Sequence, residues 1–134
     1  MKLSSKTITA IKMFIDLGEH YQDGFISLKD IAERKDLSKK FLEQIVPIYK
    51  NNGLLLGNRG NQGGYRLAKK PQDISVKEII YILENDLNKQ ETGFSPIDEV
   101  MSKADQMLDD YFSNISLAEL VEKQKESYSY NYSI

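Results

Sequence analysis

One contiguous stretch, residues 27–67, constrains the fold of this chain more than any other part of its sequence. It reads SLKDIAERKDLSKKFLEQIV and then PIYKNNGLLLGNRGNQGGYRL. Ser27 and Asp30 form a capping-box pattern that opens a short helix. After a turn, Ser38 caps a second helix, and a Gly-rich hairpin that carries one Arg follows. This order predicts a helix-turn-helix followed by a β-hairpin wing.

The first turn of the helix opened by Ser38 is the candidate base-reading surface. In a helix-turn-helix, N-terminal residues of the second helix reach base edges in the major groove of DNA. Lys can meet guanine or a phosphate, Glu43 can accept from cytosine, and Gln44 can pair with adenine. Because phosphates repel a carboxylate, a purely structural bond from Glu43 to a neighbouring Lys is the alternative. The predicted major-groove residues are Ser38, Lys39, Lys40, Glu43 and Gln44.

Two helix N-termini are further candidates for contacts with DNA phosphates. Their free amides and positive dipole ends attract anions. Ser27 and Lys29 lie at the start of the short helix, and Ser5, Lys6 and Thr7 lie at the start of the first predicted helix. Plain helix capping on a solvated surface is the alternative interpretation at each of these positions.

Arg59 and Gly60 lie at the tip of the predicted wing. A narrow minor groove concentrates negative potential and attracts an inserted Arg, and the surrounding glycines let the backbone approach DNA closely. A solvated wing Arg is the alternative. The Gly-rich segment lacks the Lys-Ser/Thr ending of a phosphate loop, so we discount nucleotide binding.

Helices are predicted on both sides of this unit. The first is expected from Ser4 or Ser5 to about His20, on a helical-period stripe formed by Ile8, Ile11, Phe14, Ile15 and Leu17. Gly18, near its end, is interpreted as a stop signal. Ser75 and Ser116 begin two further capping boxes, each with a Glu three residues later.

A long helix at residues 96–113 carries apolar residues at the spacing of a coiled-coil seam. We predict that it packs against its own copy in a homodimer, with packing on its own winged domain as the alternative. A dimer would present two recognition helices and two wings to a palindromic site in double-stranded DNA. The predicted interface residues are Ile97, Val100, Met101, Ala104, Leu108, Tyr111 and Phe112.

The predicted fold is therefore mainly α with a small β-hairpin: a winged helix-turn-helix domain joined to a long dimerisation helix. The recognition helix is expected at residues 38–52 and the wing at 54–68. The predicted units are a winged domain at 1–84, a loop at 85–95, dimerisation helices at 96–126 and an extended C-terminal tail at 127–134.

The charge distribution agrees with a nucleic-acid partner. Residues 1–70 contain 13 Lys and Arg against 7 Asp and Glu (+6), whereas residues 71–134 contain 5 against 13 (−8). A basic half and an acidic half indicate that one end faces a nucleic acid, with chance segregation as the alternative. No apolar run approaches the roughly 20 residues that span a bilayer. With no signal-peptide pattern either, we expect a cytoplasmic protein without a membrane partner.

The sequence contains no Cys and a single His, His20. Thiolate-held metals, iron–sulfur clusters and Cys nucleophiles are thereby excluded, and a zinc site would need an uncommon, carboxylate-rich ligand set. We expect His20 to be a solvated residue near a helix end. An enzyme is the weakest functional class, and no catalytic residue, metal or cofactor is expected.

The opening MKLSSK, the helix-turn-helix run, the segments NNGLL and GGYRLAKKP, and the later DISVKEII and ISLAEL form a combined pattern. In this pattern the chain resembles the bacterial winged-helix transcriptional regulators of the Rrf-two family, over nearly its whole length. The resemblance implies a homodimeric transcription factor, usually a repressor. It also implies that Glu43 and the residues before it read the major groove and that Arg59 enters the minor groove.

Cluster-binding members of that family carry three Cys where this chain has NDLNKQETGFSP, so the resemblance carries over no iron–sulfur cofactor. The chain is closest in type to a cysteine-metabolism repressor in the cysteine-free branch. That repressor acts with the enzyme O-acetylserine sulfhydrylase and ends in an aromatic residue followed by Ile. This chain ends in Ile134, which is therefore a candidate docking residue for such an enzyme. A small effector between the wing domain and the long helix is another candidate partner.

The competing class is a winged-helix protein-interaction module that does not bind DNA. Such a module would dock to a metabolic enzyme through the C-terminal tail, and the charge of −8 on the second half of the chain is compatible with it. Steep salt dependence of binding to duplex DNA would favour the regulator.

Overall fold

The structure of this protein is a computed structural model. It describes residues 1–60, 63–84, 87 and 94–133, with side chains up to residue 128. In the described ranges, six α-helices flank one hairpin. The helices are α1 (Ser5–Glu19), α2 (Leu28–Lys35), α3 (Lys39–Asn51), α4 (Val76–Leu83), α5 (Pro96–Ser113) and α6 (Leu117–Ser133). The antiparallel strands are β1 (Leu55–Asn58) and β2 (Gly64–Leu67). This confirms the predicted fold class. Among the helices of the described residues, none has the length and apolarity needed to cross a bilayer.

Serine side chains define where the helices begin. At all six α-helix N-termini of the described residues a Ser hydroxyl accepts the backbone amide of the residue three positions later, namely at Ser4, Ser27, Ser38, Ser75, Ser95 and Ser116. Such a cap satisfies one of the four amides that an α-helix leaves unpaired at its start. Ser75 and Glu78 form the complete capping box that the sequence predicted, because the Glu78 side chain also accepts the Ser75 amide at 2.8 Å.

The core lies between α1, α3, the hairpin, α4 and α6. Phe14 of α1 meets Tyr49 of α3 edge to face, with ring centroids 4.8 Å apart. The buried Tyr49 hydroxyl donates to the carbonyl of Ile79 at 2.6 Å, which ties α3 to α4. Burial, followed by the charge of Glu84, raises the pKa of Tyr49, so it remains a neutral hydrogen-bond donor.

The buried face of α1 differs from the predicted stripe. Phe14 and Leu17 are buried as expected, but Ile8 points outward with 44% of its surface exposed, and Ile11 and Ile15 are only half-buried. The core positions belong instead to Ala10, Met13, Phe14 and Leu17, which keep the i, i+3, i+4, i+7 spacing of one helix face. Because Ile is strongly hydrophobic, the positions of the Ile residues predicted the wrong buried face for α1.

Two ion pairs hold α2 against α1. Asp16, which is 1% exposed, accepts from both Nε and Nη2 of Arg34 at 2.9 Å. Lys35 donates to Glu19 at 2.6 Å. Asp36 then closes the turn in the left-handed region, at φ 52°. These contacts fix the angle at which α2 and, through the turn, α3 leave the core.

The last helix packs directly on the first. A Cβ added at Gly18 would lie 2.7 Å from Cγ2 of Val121, and Leu117 is fully buried in the same contact. Gly18 therefore lies inside α1 and permits the close approach of α6, in addition to preceding the helix end.

The predicted extended tail is wrong, because α6 continues to Ser133. Residues 127–133 contain neither Gly nor Pro, so nothing in the local sequence breaks the helix once it has started. A contact between α2 and α6 supports the helical conformation beyond residue 126. Lys35 of α2 lies 3.3 Å from the Tyr128 hydroxyl and within cation–π distance of its ring, 5.7 Å from the centroid.

Candidate nucleic-acid interface

The first turns of α3 separate a buried face from an exposed polar face. Leu42, Ile45, Val46 and Tyr49 anchor the helix in the core. The predicted base-reading residues Ser38, Lys39, Lys40, Glu43 and Gln44 are all exposed on the other side. Within the described residues, no hydrogen bond or ion pair engages the Glu43 side chain, so the contact to a neighbouring Lys is not formed. The polar face is thus free to meet a ligand outside the chain.

Pro47 removes an amide from the middle of the recognition helix, which predicts a kink there. Pro47 lies within α3, which continues to Asn51 and is capped at Asn52. The Asn52 side chain donates to the carbonyl of Ile48 at 2.8 Å. Proline removes one amide from the helix ladder, but this change falls beyond the first two turns, which carry the predicted base contacts.

The wing is fixed to the helix-turn-helix through its second strand. Ile26, just before α2, pairs with Tyr65 of β2 by two backbone hydrogen bonds of 2.9 and 2.8 Å. Gly64 is required at this junction, because a Cβ there would lie 2.3 Å from the Ile26 carbonyl oxygen. Arg59 and Gly60 are exposed at the described edge of the wing tip, while residues 61 and 62 lie outside the described residues.

At the start of α2, Ser27 acts as a helix cap, as the alternative interpretation stated. Its hydroxyl accepts the Asp30 amide at 3.1 Å. Lys29 is exposed beside it. The capping bond uses the Ser27 oxygen as an acceptor, so a phosphate at this end could still accept from the Ser27 hydroxyl, the remaining backbone amides and the Lys29 ammonium.

The start of α1 differs from its prediction. Thr7 is fully buried, and its hydroxyl donates to Glu84 at 2.6 Å, while the Ser4 amide donates to the same oxygen at 2.9 Å. These two hydrogen bonds lower the pKa of Glu84. The Glu84 carboxylate already occupies the position that a phosphate would take beside Thr7. The predicted DNA contact through the Thr7 side chain is therefore wrong. Ser5 and Lys6 remain exposed.

The predicted dimer residues on α5 divide into two groups, and none is buried. Leu108 and Phe112 are half-buried, and the Phe112 ring packs against α4, 6.4 Å from that of Tyr81. Lys77 of α4 also contacts Asp109 of α5 at 2.5 Å. The exposed group, which includes Val100 at 61%, consists of Ile97, Val100, Met101, Ala104 and Tyr111.

A groove of about 600 Å³ lies where the recognition helix ends and α4 begins. Its walls are Asn52, Leu54, Lys77, Glu78, Tyr81 and Ile82. Both charged residues are engaged within the chain, Lys77 with Asp109 and Glu78 with Lys69. These lining residues belong to the end of α3, the segment after it and α4, so the predicted effector position between the wing domain and the long helix stays a prediction.

Sequence reasoning did not identify Arg66 as a site residue. Its guanidinium lies over two aromatic rings, 5.7 Å from the centroid of Tyr21 and 5.6 Å from that of Phe25. The sequence contained a signal for this position. Side chains alternate between the two faces of a strand, so a buried Leu67 places Arg66 on the outer face of the wing.

A comparison with protein families finds one match. The Rrf2 family, described as "Iron-dependent Transcriptional regulator", matches residues 3–123. This chain does not provide the donors of a thiolate-held iron centre, because its sequence contains no Cys. Within the described ranges, no group of three or more His, Asp or Glu residues is placed to hold a metal ion either.

Similar sequences carry regulator names. The transcriptional regulator IscR of Photorhabdus laumondii is 32% identical across 93% of this chain and 82% of that protein. CymR of Bacillus subtilis is 37% identical across 68% of this chain and 66% of CymR. Protein rrf2 of Nitratidesulfovibrio vulgaris is 36% identical across 63% of this chain, and the match spans 56% of that protein.

Solved structures share the architecture. IscR of T. potens superposes with a TM-score of 0.81 at 36% identity, covering 95% of this chain and 90% of that one. CymR of B. subtilis, described as its global cysteine regulator, gives 0.80 at 29% identity, covering 92% of this chain and 98% of that one. The relatives are transcriptional regulators, which confirms the expectation that the chain is not an enzyme.

Proposed function

Because this chain belongs to the Rrf2 family of DNA-binding transcriptional regulators, as its motifs predicted, we propose that it is a homodimeric repressor of a palindromic operator. The recognition helix, residues 38–52, enters the major groove, and the wing, residues 54–68, lies at the minor groove. The observation that carries the proposal is the exposed polar turn of α3 with Arg59 in the same rigid unit. Its cellular place is the cytoplasm, where bacterial operators are.

Each exposed polar residue on the first turns of α3 has a chemical role in this proposal. Lys39 and Lys40 neutralise phosphates or donate to guanine, while Glu43 and Gln44 accept from or pair with base edges. The Ile26–Tyr65 pairing and the Asp16–Arg34 ion pair support the geometry. They connect the wing and the helix-turn-helix to the same core, so both contacts are positioned before DNA arrives.

The exposed apolar stripe of α5 supports a symmetric dimer. Successive residues of a helix are 100° apart, so Ile97, Val100 and Ala104 with Tyr111 fall within one narrow arc. Leu108 and Phe112 lie beside that arc, and Phe112 faces Tyr81 of α4. Packing on the chain's own domain, the alternative arrangement, thus occupies one flank of α5, and we propose that a second copy covers the rest. Two wings and two recognition helices then face two half-sites.

DNA binding is tested first with genomic fragments. Fragments retained by the purified protein are sequenced to obtain an operator, and fluorescence anisotropy then gives the affinity for that duplex. We expect Arg59→Ala and Lys40→Ala to weaken binding while leaving the dimer intact. Lys103→Ala, which removes an exposed charge from α5, is the matched control.

The same binding experiment distinguishes base-specific contacts from sequence-independent contacts with phosphate. Gln44→Ala should lose about 1–3 kcal/mol for the operator and relax the preference at one base pair, whereas Lys40 variants should weaken all duplexes alike if Lys40 contacts phosphate. Wild-type protein that retains no duplex DNA, even at low salt, would reject the regulator in favour of a protein-interaction module.

The signal is proposed separately from DNA binding. The groove beside Lys77 and Glu78 supports a small effector, because a ligand there would touch the end of α3 and the ion pair between Lys77 and α5. Operator affinity measured with and without candidate metabolites tests this. O-acetylserine sulfhydrylase remains the proposed enzyme partner through Ile134, a residue outside the described part of the chain. A pull-down with and without the last residue tests that contact.

A further inference from the structure

The root of the wing is part of a three-strand arrangement with an outer face. Antiparallel pairing joins Leu56 to Arg66 and Asn58 to Gly64, and the bridge between Ile26 and Tyr65 extends the sheet. By the same register, Phe25 lies opposite Arg66 and Ser27 lies opposite Gly64. Two cross-strand rows therefore follow one another along the wing.

These two rows lie on the face that points away from the core. Leu55 and Leu67 are buried on the inner face, whereas Leu56 is 50% exposed. Since side chains alternate along a strand, Arg66 points outward with Leu56. The next row towards the wing tip contains Ser27, Gly64 and Asn58, and Asn58 directly precedes Arg59. The proposed phosphate contact at the start of α2 and the proposed minor-groove contact thus border the same outer face.

Arg66 is held on this face by its rings. The guanidinium lies 5.7 Å from the Tyr21 centroid and 5.6 Å from the Phe25 centroid. A cation–π contact orients the cation without using its hydrogen-bond donors. Within the described residues no hydrogen bond engages the Arg66 guanidinium, so its N–H groups remain available. The rings restrict a side chain that would otherwise sample many rotamers.

The charge of Arg66 is not neutralised within the described part of the chain, where no ion pair involves it. Asp23, which lies between the two rings in sequence, is hydrogen-bonded to His20 at 2.8 Å. Arg34, by contrast, is committed to Asp16 through two bonds. Of the three Arg in the sequence, Arg59 and Arg66 are therefore left to meet an external anion.

We propose that Arg66, stacked on Tyr21 and Phe25, binds a DNA phosphate at the root of the wing. This inference rests on the proposed function and extends it, because it adds a backbone contact behind the tip contact of Arg59. The glycine at the centre of the next row, Gly64, places no side chain between Arg66 and the start of α2. One phosphate can approach the sheet there and accept from the guanidinium edge.

The inference predicts a change in salt dependence as well as in affinity. Each phosphate contact contributes about 0.9 to the slope of log K against log salt, so Arg66→Gln should lower the slope of a dimer by about 1.8. Affinity should fall about tenfold, for operator and unrelated duplexes alike, because a phosphate contact carries no sequence information. Arg66→Lys should restore most of the slope, since it keeps the charge.

The experiment measures binding by anisotropy at four or more salt concentrations for the full chain. Arg59→Gln is the positive control and Lys103→Gln the negative one. Phe25→Leu removes one ring but keeps the cation, and we expect it to weaken binding while leaving the slope near that of wild type. Thermal unfolding of each variant shows whether the wing remains folded.

The outcomes distinguish this inference from the proposed function. If wild type and the Arg59 control behave as regulators but Arg66→Gln keeps the wild-type slope, the phosphate contact is rejected and the regulator stands. Weaker binding that Arg66→Lys does not restore means that Arg66 only packs the wing, which also overturns the inference. If wild type binds no duplex, the proposed function itself fails.

Discussion

The winged domain and α5 have similar shares of apolar residues but use them differently. The winged domain, together with α6, buries a continuous core that includes Phe14, Tyr49 and Leu117. Over its 18 residues α5 buries none, and Ile97, Val100 and Tyr111 all remain more than half exposed. A large exposed apolar surface is typical of an interaction site. The winged domain and α6 thus bury their apolar residues within one chain, whereas the apolar stripe of α5 is the surface for which we propose a second copy.

The largest expected effect lies in the core. Phe14→Ala removes a ring that packs against Tyr49, and large-to-small substitutions of this kind cost about 3–5 kcal/mol of unfolding free energy. Urea denaturation followed by circular dichroism measures the loss. Ile8→Ala, on the exposed face of the same helix, should change the unfolding free energy by less than about 0.5 kcal/mol. Equal effects would mean that the predicted stripe, and not the observed one, faces the core.

The second effect tests the uncovered helix. Val100→Glu places a carboxylate in the proposed seam, where burial of an unpaired charge costs several kcal/mol, so association should weaken by at least about 100-fold. Sedimentation at several concentrations measures this. The α4 contacts of the chain should persist, since Val100 lies off that flank.

Ser102→Glu adds the same charge on the opposite side of α5 and is the control. A dimer that survives Val100→Glu but is lost in the control would place the seam on the other face of the helix.

The third effect concerns the contact that brings α6 into the winged domain. In an exposed helix Gly→Ala stabilises by about 1 kcal/mol, but at Gly18 the new methyl would lie 2.7 Å from Val121. We expect Gly18→Ala to destabilise instead, by about 1 kcal/mol. The double variant Gly18→Ala with Val121→Ala should cost less than the sum of the two single variants. A stabilising Gly18→Ala would show that α6 does not pack there.

The smallest effect is pH-dependent. Hydrogen bonds from Thr7 and then Ser4 lower the pKa of Glu84 below its ordinary value of 4.5. A lowered carboxyl pKa contributes stability above the unfolded value, and this contribution is lost as pH falls through the folded value. Glu84→Gln should therefore reduce the melting temperature slightly at pH 7 and cease to differ from wild type in strong acid. Glu99→Gln, on exposed α5, is the control, and a difference that persists in acid would contradict the assignment.

Local signals were read well from the sequence, and contacts between distant residues were not. Ser38, Ser75 and the start of α5 needed only the pattern of a few neighbouring residues, because a helix cap is made within four positions. The bond from Thr7 to Glu84 and the ion pair from Asp16 to Arg34 join residues far apart in the chain. The spacing of residues along the sequence does not predict which distant side chain packs beside a given position.

By itself, the sequence determined that this chain forms a helix-turn-helix with a wing, because capping, helical spacing and glycine placement are local properties. Its motifs also identified the family. The tertiary structure decided where individual side chains lie: it buried Thr7 beside Glu84 and placed Arg66 over the rings of Tyr21 and Phe25, which is the basis of the proposed phosphate contact. It also decided that α6 completes the core while α5 stays uncovered, since both outcomes depend on how distant faces pack.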